Sequence, residues 1–121
     1  MMSDKKKILI IEDDDSSRES LVSFLEECGY NVISTGDGFR GLELMKKDTP
    51  DLIITDNRLP NIDGIELACI NESFTKKIPF IITSAYDNLK DIISKLNVIS
   101  FLEKPIDIIL LRDLVDKTLF R

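Results

Sequence analysis

Residues 51–64 read DLIITDNRLPNIDG. Leu52, Ile53 and Ile54, with Thr55 after them, make the short apolar run expected of a strand buried on both faces. The run stops at Asp56, and the next residues (Asn57, Arg58, Pro60, Asn61, Asp63, Gly64) read as a turn. A carboxylate therefore stands at the carboxyl end of a buried strand. In open α/β sheets that edge is where ligands bind. On this stretch alone, Asp56 fits both a loop cap and a ligand-site group.

Working outward, the same alternation of short apolar run and amphipathic segment repeats. Ile8–Ile11 is a strand that ends on four carboxylates, Glu12 to Asp15, and Ser16 or Asp15 offers a helix N-cap. Leu21, Phe24, Leu25 and Cys28 then fall at helical spacing, and Gly29 stops the helix. Tyr30–Ser34 is a shorter, more polar strand suited to a sheet edge. Phe39, Leu42 and Met45 mark a second helix that Pro50 closes. A short helix is expected over Ile65–Phe74, and a strand over Phe80–Thr83 that ends at Ser84-Ala85. Leu89, Ile92, Ile93 and Leu96 mark a fourth helix. Val98–Leu102 is a fifth strand ending in Glu103-Lys104-Pro105. The last helix, roughly 107–119, carries Ile108, Leu111, Val115 and Leu119 on one face. Each crossover is long enough for a helix, so the strands should be parallel with helices on both faces. Residues 1–121 read as a single α/β domain, a doubly wound five-stranded parallel sheet flanked by five helices.

Composition bounds the function. The 121 residues suffice for one core, and 43% hydrophobic with 31% charged residues is ordinary for a globular domain. A net charge of −6 speaks against nucleic acid or an anionic membrane as the domain's own target, but suits a divalent cation or a basic partner face. No apolar run reaches membrane-span length and no signal peptide is legible, so a cytoplasmic location is expected. Cys28 and Cys69, in apolar helical contexts with no histidine in the chain, read as reduced core cysteines.

Parallel strands point their carboxyl ends the same way, so Glu12, Asp13, Asp56, Ser84 and Lys104 should gather on one edge. Crowded carboxylates repel until a proton or a cation enters. Oxygen ligands without histidine or cysteine suit Mg²⁺ (or Mn²⁺) and argue against zinc. A cation, a lysine and a free carboxylate together supply what phosphoryl transfer onto an aspartate needs.

These residues resemble the receiver domain of two-component response regulators. The resemblance spans nearly the whole chain and rests on ILIIEDD at 8–14, DLIITD with the following Pro60 and Asp63-Gly64, PFIITSA at 79–85 and FLEKP at 101–105. It implies a flavodoxin-like fold of strand order 2-1-3-4-5, the order given for such receivers. It further implies Asp56 as phosphoacceptor and Asp13 and Glu12 as the acidic pair that holds Mg²⁺ together with Asp56. The backbone carbonyl of Arg58 is implied as a further ligand. Ser84 is implied as the hydroxyl that follows the phosphoryl group, Lys104 as the balancing charge, Phe101 as the aromatic switch, and a cis bond between Lys104 and Pro105. Phe101 lacks a phenolic hydroxyl, so any switching there would rest on packing. Arg58 and Tyr86 are expected to shield an acyl phosphate from water.

The implied partners are a histidine kinase or phosphotransfer protein that donates to Asp56, and an unidentified output partner. The latter reads the face of the fourth helix, fifth strand and fifth helix, where a homodimer could also form. The domain would then be a regulator and not an enzyme, beyond accepting phosphoryl groups from small donors and losing them again. Two alternatives use the same residues: a docking receiver that is never phosphorylated, and an aspartate-based phosphohydrolase built on Asp13 and Asp15. Whether the receiver stands alone or belongs to a longer regulator stays open.

Overall fold

A computed structural model describes residues 5–85 and 98–120. Five parallel strands form one sheet in the order β2-β1-β3-β4-β5. Their ranges are β1 Lys7–Ile11, β2 Asn31–Thr35, β3 Leu52–Asp56, β4 Phe80–Ser84 and β5 Val98–Glu103. Four helices are described: α1 Asp15–Glu27, α2 Gly38–Asp48, α3 Gly64–Asn71 and α4 Ile108–Leu119. The helix expected around Leu89–Leu96 falls outside the described residues, as does Tyr86.

β3 is central because it is apolar on both faces. All five of its residues are buried, and so are all five of β4. Successive side chains of a strand serve opposite faces, and β1 divides accordingly. Ile8 and Ile10 pack with Leu21 and Leu25 of α1 and Leu111 and Val115 of α4. Leu9 and Ile11 pack with Leu44 and Met45 of α2 and Leu67 of α3. The sheet is therefore covered on both sides, and the polar strand β2 lies at the edge, as expected.

Several local expectations are corrected. The N-cap of α1 is Asp14, whose carboxylate accepts the Ser17 N–H at 2.8 Å, and not Ser16 or Asp15. That bond, with a second from the Ser17 hydroxyl, holds the Asp14 carboxyl below the usual range. Phe39 is 54% exposed, because α2 turns a different face to the core. Gly38, Gly41, Leu44 and Met45 are its buried residues. The two glycines let the helix approach closely: a Cβ on Gly38 would sit 2.0 Å from the Ile62 carbonyl oxygen. Cys69 is exposed and Cys28 half-buried, both as free thiols. Ile108 is exposed, so the buried face of α4 starts at Leu111. The α3 helix stops at Asn71, short of Phe74. Asn71 is fully buried and bonds both the N–H (3.0 Å) and the carbonyl (2.8 Å) of Ile78.

The C-terminal helix is tied back at its far end. Tyr30, 2% exposed, donates its hydroxyl to Asp116 and stacks on Phe120 with ring centroids 5.6 Å apart. Burial, reinforced by the Asp116 carboxylate, raises the phenol's pKa well above its ordinary value. A raised pKa contributes stability that is complete below the unfolded value, about 10 for tyrosine, and is lost above it. Tyr30→Phe should cost about 1–2 kcal/mol in urea unfolding at neutral pH. The gap between the two proteins should narrow above about pH 10. A gap that does not change with pH would contradict the assigned hydrogen bond.

Candidate functional site

The carboxyl edge of the sheet collects the polar ends of four strands. Asp56 ends β3, and its register partner on β4 is Thr83. Ser84 ends β4 opposite Glu103, and the Lys104 N–H donates to the Ser84 carbonyl at 2.9 Å. That pairing delivers Lys104 to the site. Its Nζ donates to Glu12 Oε1 at 3.0 Å and to Asp56 Oδ2 at 3.1 Å. One ammonium thus joins the first, third and fifth strands. The bond from Lys104 to Pro105 is cis.

Glu12 is 2% exposed and Asp56 9% exposed, whereas Asp13 lies at the surface. One oxygen from each of these three carboxylates falls within 4.8 Å of the others. At that separation, and with an effective dielectric of about 20, each pair repels by roughly 3 kcal/mol. Lys104 offsets one of the three charges. Burial draws the Lys104 pKa down, but the hydrogen bonds and charges of Glu12 and Asp56 outweigh it, and the net direction is up. The lysine stays charged, and the group keeps excess negative charge facing a solvent-accessible mouth. Three hard oxygen donors with neither histidine nor thiol fit Mg²⁺ or Mn²⁺ in chemistry, and do not fit zinc.

The loop after β3 is built around Asn57 and Gly64. Asn57 N–H donates to the Thr83 carbonyl at 2.8 Å, its carbonyl accepts from Gly64 N–H at 2.9 Å, and its side chain accepts from Ile65 N–H at 3.2 Å. Asp63 caps α3 in a reciprocal capping box with Glu66. Gly64 is then pressed onto the end of β3: a Cβ there would lie 2.6 Å from the Asp56 carbonyl oxygen. The Asp63-Gly64 pair therefore sets the height of the loop over Asp56.

The structure brings together Glu12, Asp13, Asp56 and Lys104, and places Ser84, 2% exposed, at the end of the neighbouring strand. Arg58 is exposed two residues beyond Asp56. Phe101 is half-buried and packs against the cluster of Leu9, Ile11 and Ile82. Asp15 stands apart from the three-carboxylate group and pairs with Arg18 at 2.6 Å.

Arg18 is the residue that the sequence did not reveal. Its Nη1 donates to the backbone carbonyl of Glu12 at 2.8 Å while Nη2 holds Asp15. The guanidinium lies over Gly36, where a Cβ would come within 2.8 Å of Nη1. A helix residue thus reaches back to clamp the loop that carries Glu12 and Asp13. The only sequence signal was a glycine in a turn facing an arginine one helical turn past the carboxylates.

With this geometry in place, the comparisons with known proteins agree. The profile of the response regulator receiver domain matches residues 8–116, and the chain belongs to that family. Sporulation initiation phosphotransferase F of Bacillus subtilis is 33% identical over 117 residues, which cover 94% of each chain. The transcriptional regulatory protein CseB of Streptomyces coelicolor is 36% identical over 92 residues, which cover 76% of this chain and 39% of CseB. The chain thus spans well under half of that longer relative. Among solved structures, the response regulator TrrA of Thermotoga maritima, in complex with Mg²⁺-BeF, superposes with a TM-score of 0.85. It is 28% identical, over 94% of this chain and 99% of that one. The protein is a two-component receiver domain with phosphoacceptor function.

Gly64→Ala should force the Asp56 carbonyl or the α3 N-terminus to move and cost about 1–3 kcal/mol in urea unfolding. Stability equal to wild type would show that the loop can absorb the methyl group without strain.

Proposed function

We propose that Asp56 is the phosphoacceptor, with Asp13 and Glu12 holding Mg²⁺ beside it and Lys104 balancing charge. The observation that carries this assignment is the single ammonium bonded to both Glu12 and Asp56 at the mouth of three converging carboxylates. The donor is the phosphoimidazole of a histidine kinase or phosphotransfer protein. An Asp56 carboxylate oxygen attacks phosphorus in line, the P–O bond forms as the P–N bond breaks, and the imidazole leaves with the electron pair. When bound, the metal ion neutralises phosphoryl oxygens and orients the transferring group. Lys104 supplies a second, fixed positive charge, already positioned before the donor arrives.

Ser84 and Phe101 carry the consequence in this proposal. The Ser84 hydroxyl follows the new phosphoryl oxygens, and Phe101 repacks between two states whose populations the phosphoryl group shifts. The Arg58 carbonyl completes the metal's oxygen ligands, and the Arg58 side chain shields the acyl phosphate. The output face includes β5 and α4, where a homodimer can also form; the fourth-helix part expected for it, around Leu89–Leu96, lies outside the described residues. A cytoplasmic regulator fits; among the described residues no helix is long and apolar enough to cross a membrane.

Incubation with Mg²⁺ and acetyl phosphate, read by intact mass, should add one phosphoryl group to the wild-type chain. Asp56→Asn should abolish the gain and Asp15→Asn should keep it. A gain that survives in Asp56→Asn would reject the assignment.

Arg18 gives a second test. Arg18→Gln should raise the Mg²⁺ concentration for half-maximal thermal stabilisation about tenfold, by freeing the Glu12 carbonyl. Removing a nearby cation would on electrostatic grounds tighten Mg²⁺, so a tighter or unchanged midpoint would reject a positioning role.

A further inference from the structure

Helices of a parallel α/β fold run back against the strands, so α2 ends at the amino edge of the sheet, opposite the acidic site. Lys46 and Lys47 fall there, in the last turn of α2. Lys76 and Lys77 arrive from the connection between α3 and β4, and Lys5, Lys6 and Lys7 open β1 beside them. Seven of the 16 cationic residues of an acidic chain thus gather on one edge. Lys46 and Lys47 complement the dipole of α2, and Lys7 Nζ donates to the Asp48 carbonyl at 3.4 Å. Lys76 and Lys77 border no helix end. Among the described residues, none of Lys46, Lys47, Lys76 and Lys77 is paired with a carboxylate.

Between these lysines lies a cavity of about 490 Å³. Its apolar lining comes from Met45, Pro50, Phe74, Ile78 and Pro79, and Lys46, Lys76 and Lys77 share it. Phe74 and Pro79 are half-buried, whereas Met45 and Ile78 are nearly closed off. The loop that carries Lys76 and Lys77 is held at its base, because buried Asn71 bonds both backbone groups of Ile78. The pocket is therefore formed in advance of any ligand, which lowers the ordering cost of binding.

We propose that this edge docks an acidic segment of a partner protein, which inserts one aromatic or branched apolar side chain into the cavity. Its carboxylates face Lys46, Lys76 and Lys77. A peptide accounts for more of the surface than a small ligand does. The cavity has room for an anchoring side chain and its neighbours, and the cationic strip continues past it to the start of β1, where Lys7 N–H is bonded to Asp51 of the cavity wall at 2.8 Å. An extended anionic chain can follow that strip while one residue anchors it. The site lies at the far end of the strands from Asp56, so occupancy there leaves the phosphoacceptor open.

The test is selection of phage-displayed random peptides about a dozen residues long on the wild-type protein, with counter-selection on the triple variant K46E/K76E/K77E. All three lysines are exposed, so the variant should stay folded and still accept a phosphoryl group, with an unfolding temperature lowered by a few degrees because K46E opposes the α2 dipole. Selected peptides should be net acidic around one aromatic or aliphatic residue. By fluorescence anisotropy, a labelled selected peptide should bind the triple variant at least about tenfold more weakly. Replacing its anchor with alanine should weaken binding to wild type by a similar factor, about tenfold. The proposal is overturned if no peptide discriminates between the two proteins, or if the anchor substitution has no effect. Lysine-dependent sedimentation with phosphatidylglycerol vesicles, without peptide selection, would assign the edge to a membrane and overturn it equally.

Discussion

The bonds from Lys104 to Glu12 and Asp56 are the constraint on which the site depends. Two carboxylates less than a tenth exposed sit at adjacent strand ends, and burying such groups unpaired costs several kcal/mol each. A lysine from the last strand satisfies both at once. It can do so because β4 and β5 pair in a register that sets Lys104 just beyond Ser84. The sheet therefore has to be complete before the acidic group is balanced, and the first and last strands are coupled through one ammonium. Neutralisation is incomplete, since Asp13 adds a third charge. That remainder suits the divalent cation of the proposed site.

The same economy shapes the loops. Gly64 packs on the Asp56 carbonyl, Gly38 on the Ile62 carbonyl and Gly36 beneath the Arg18 guanidinium. Each is a point where backbone must come close to the loop after β3 or to the acidic loop after β1. The domain is also polar along its strands. Carboxylates dominate the carboxyl edge, and lysines the amino edge. The two ends are chemically suited to different partners, as the proposed phosphoacceptor site at one end and the proposed docking edge at the other require.

Much of this was legible in the residues, and the misses have a common cause. Strand ends are marked by abrupt loss of apolarity, so Glu12, Asp56, Ser84 and Lys104 could be assigned to one edge without coordinates. The apolar run that opens β3 and the more polar β2 likewise revealed centre and edge. Errors arose where burial depends on close approach and not on apolarity. Phe39 looked like core because the true contact face of α2 is marked by Gly38 and Gly41, which no hydrophobic pattern counts. Asn71, which carries no hydrophobic signal, is a buried staple. Arg18 escaped notice because its partner is a backbone carbonyl, which leaves no trace in side-chain pattern.

The assignment of Asp56 as the nucleophile can be tested without any substitution that perturbs the acidic group. The protein, phosphorylated with acetyl phosphate and Mg²⁺, is reduced with borohydride, which converts an acyl phosphate to homoserine, and the site is mapped by peptide mass spectrometry. The account predicts homoserine at position 56 alone. Homoserine at position 13 or 15, with Asp56 intact, would contradict it.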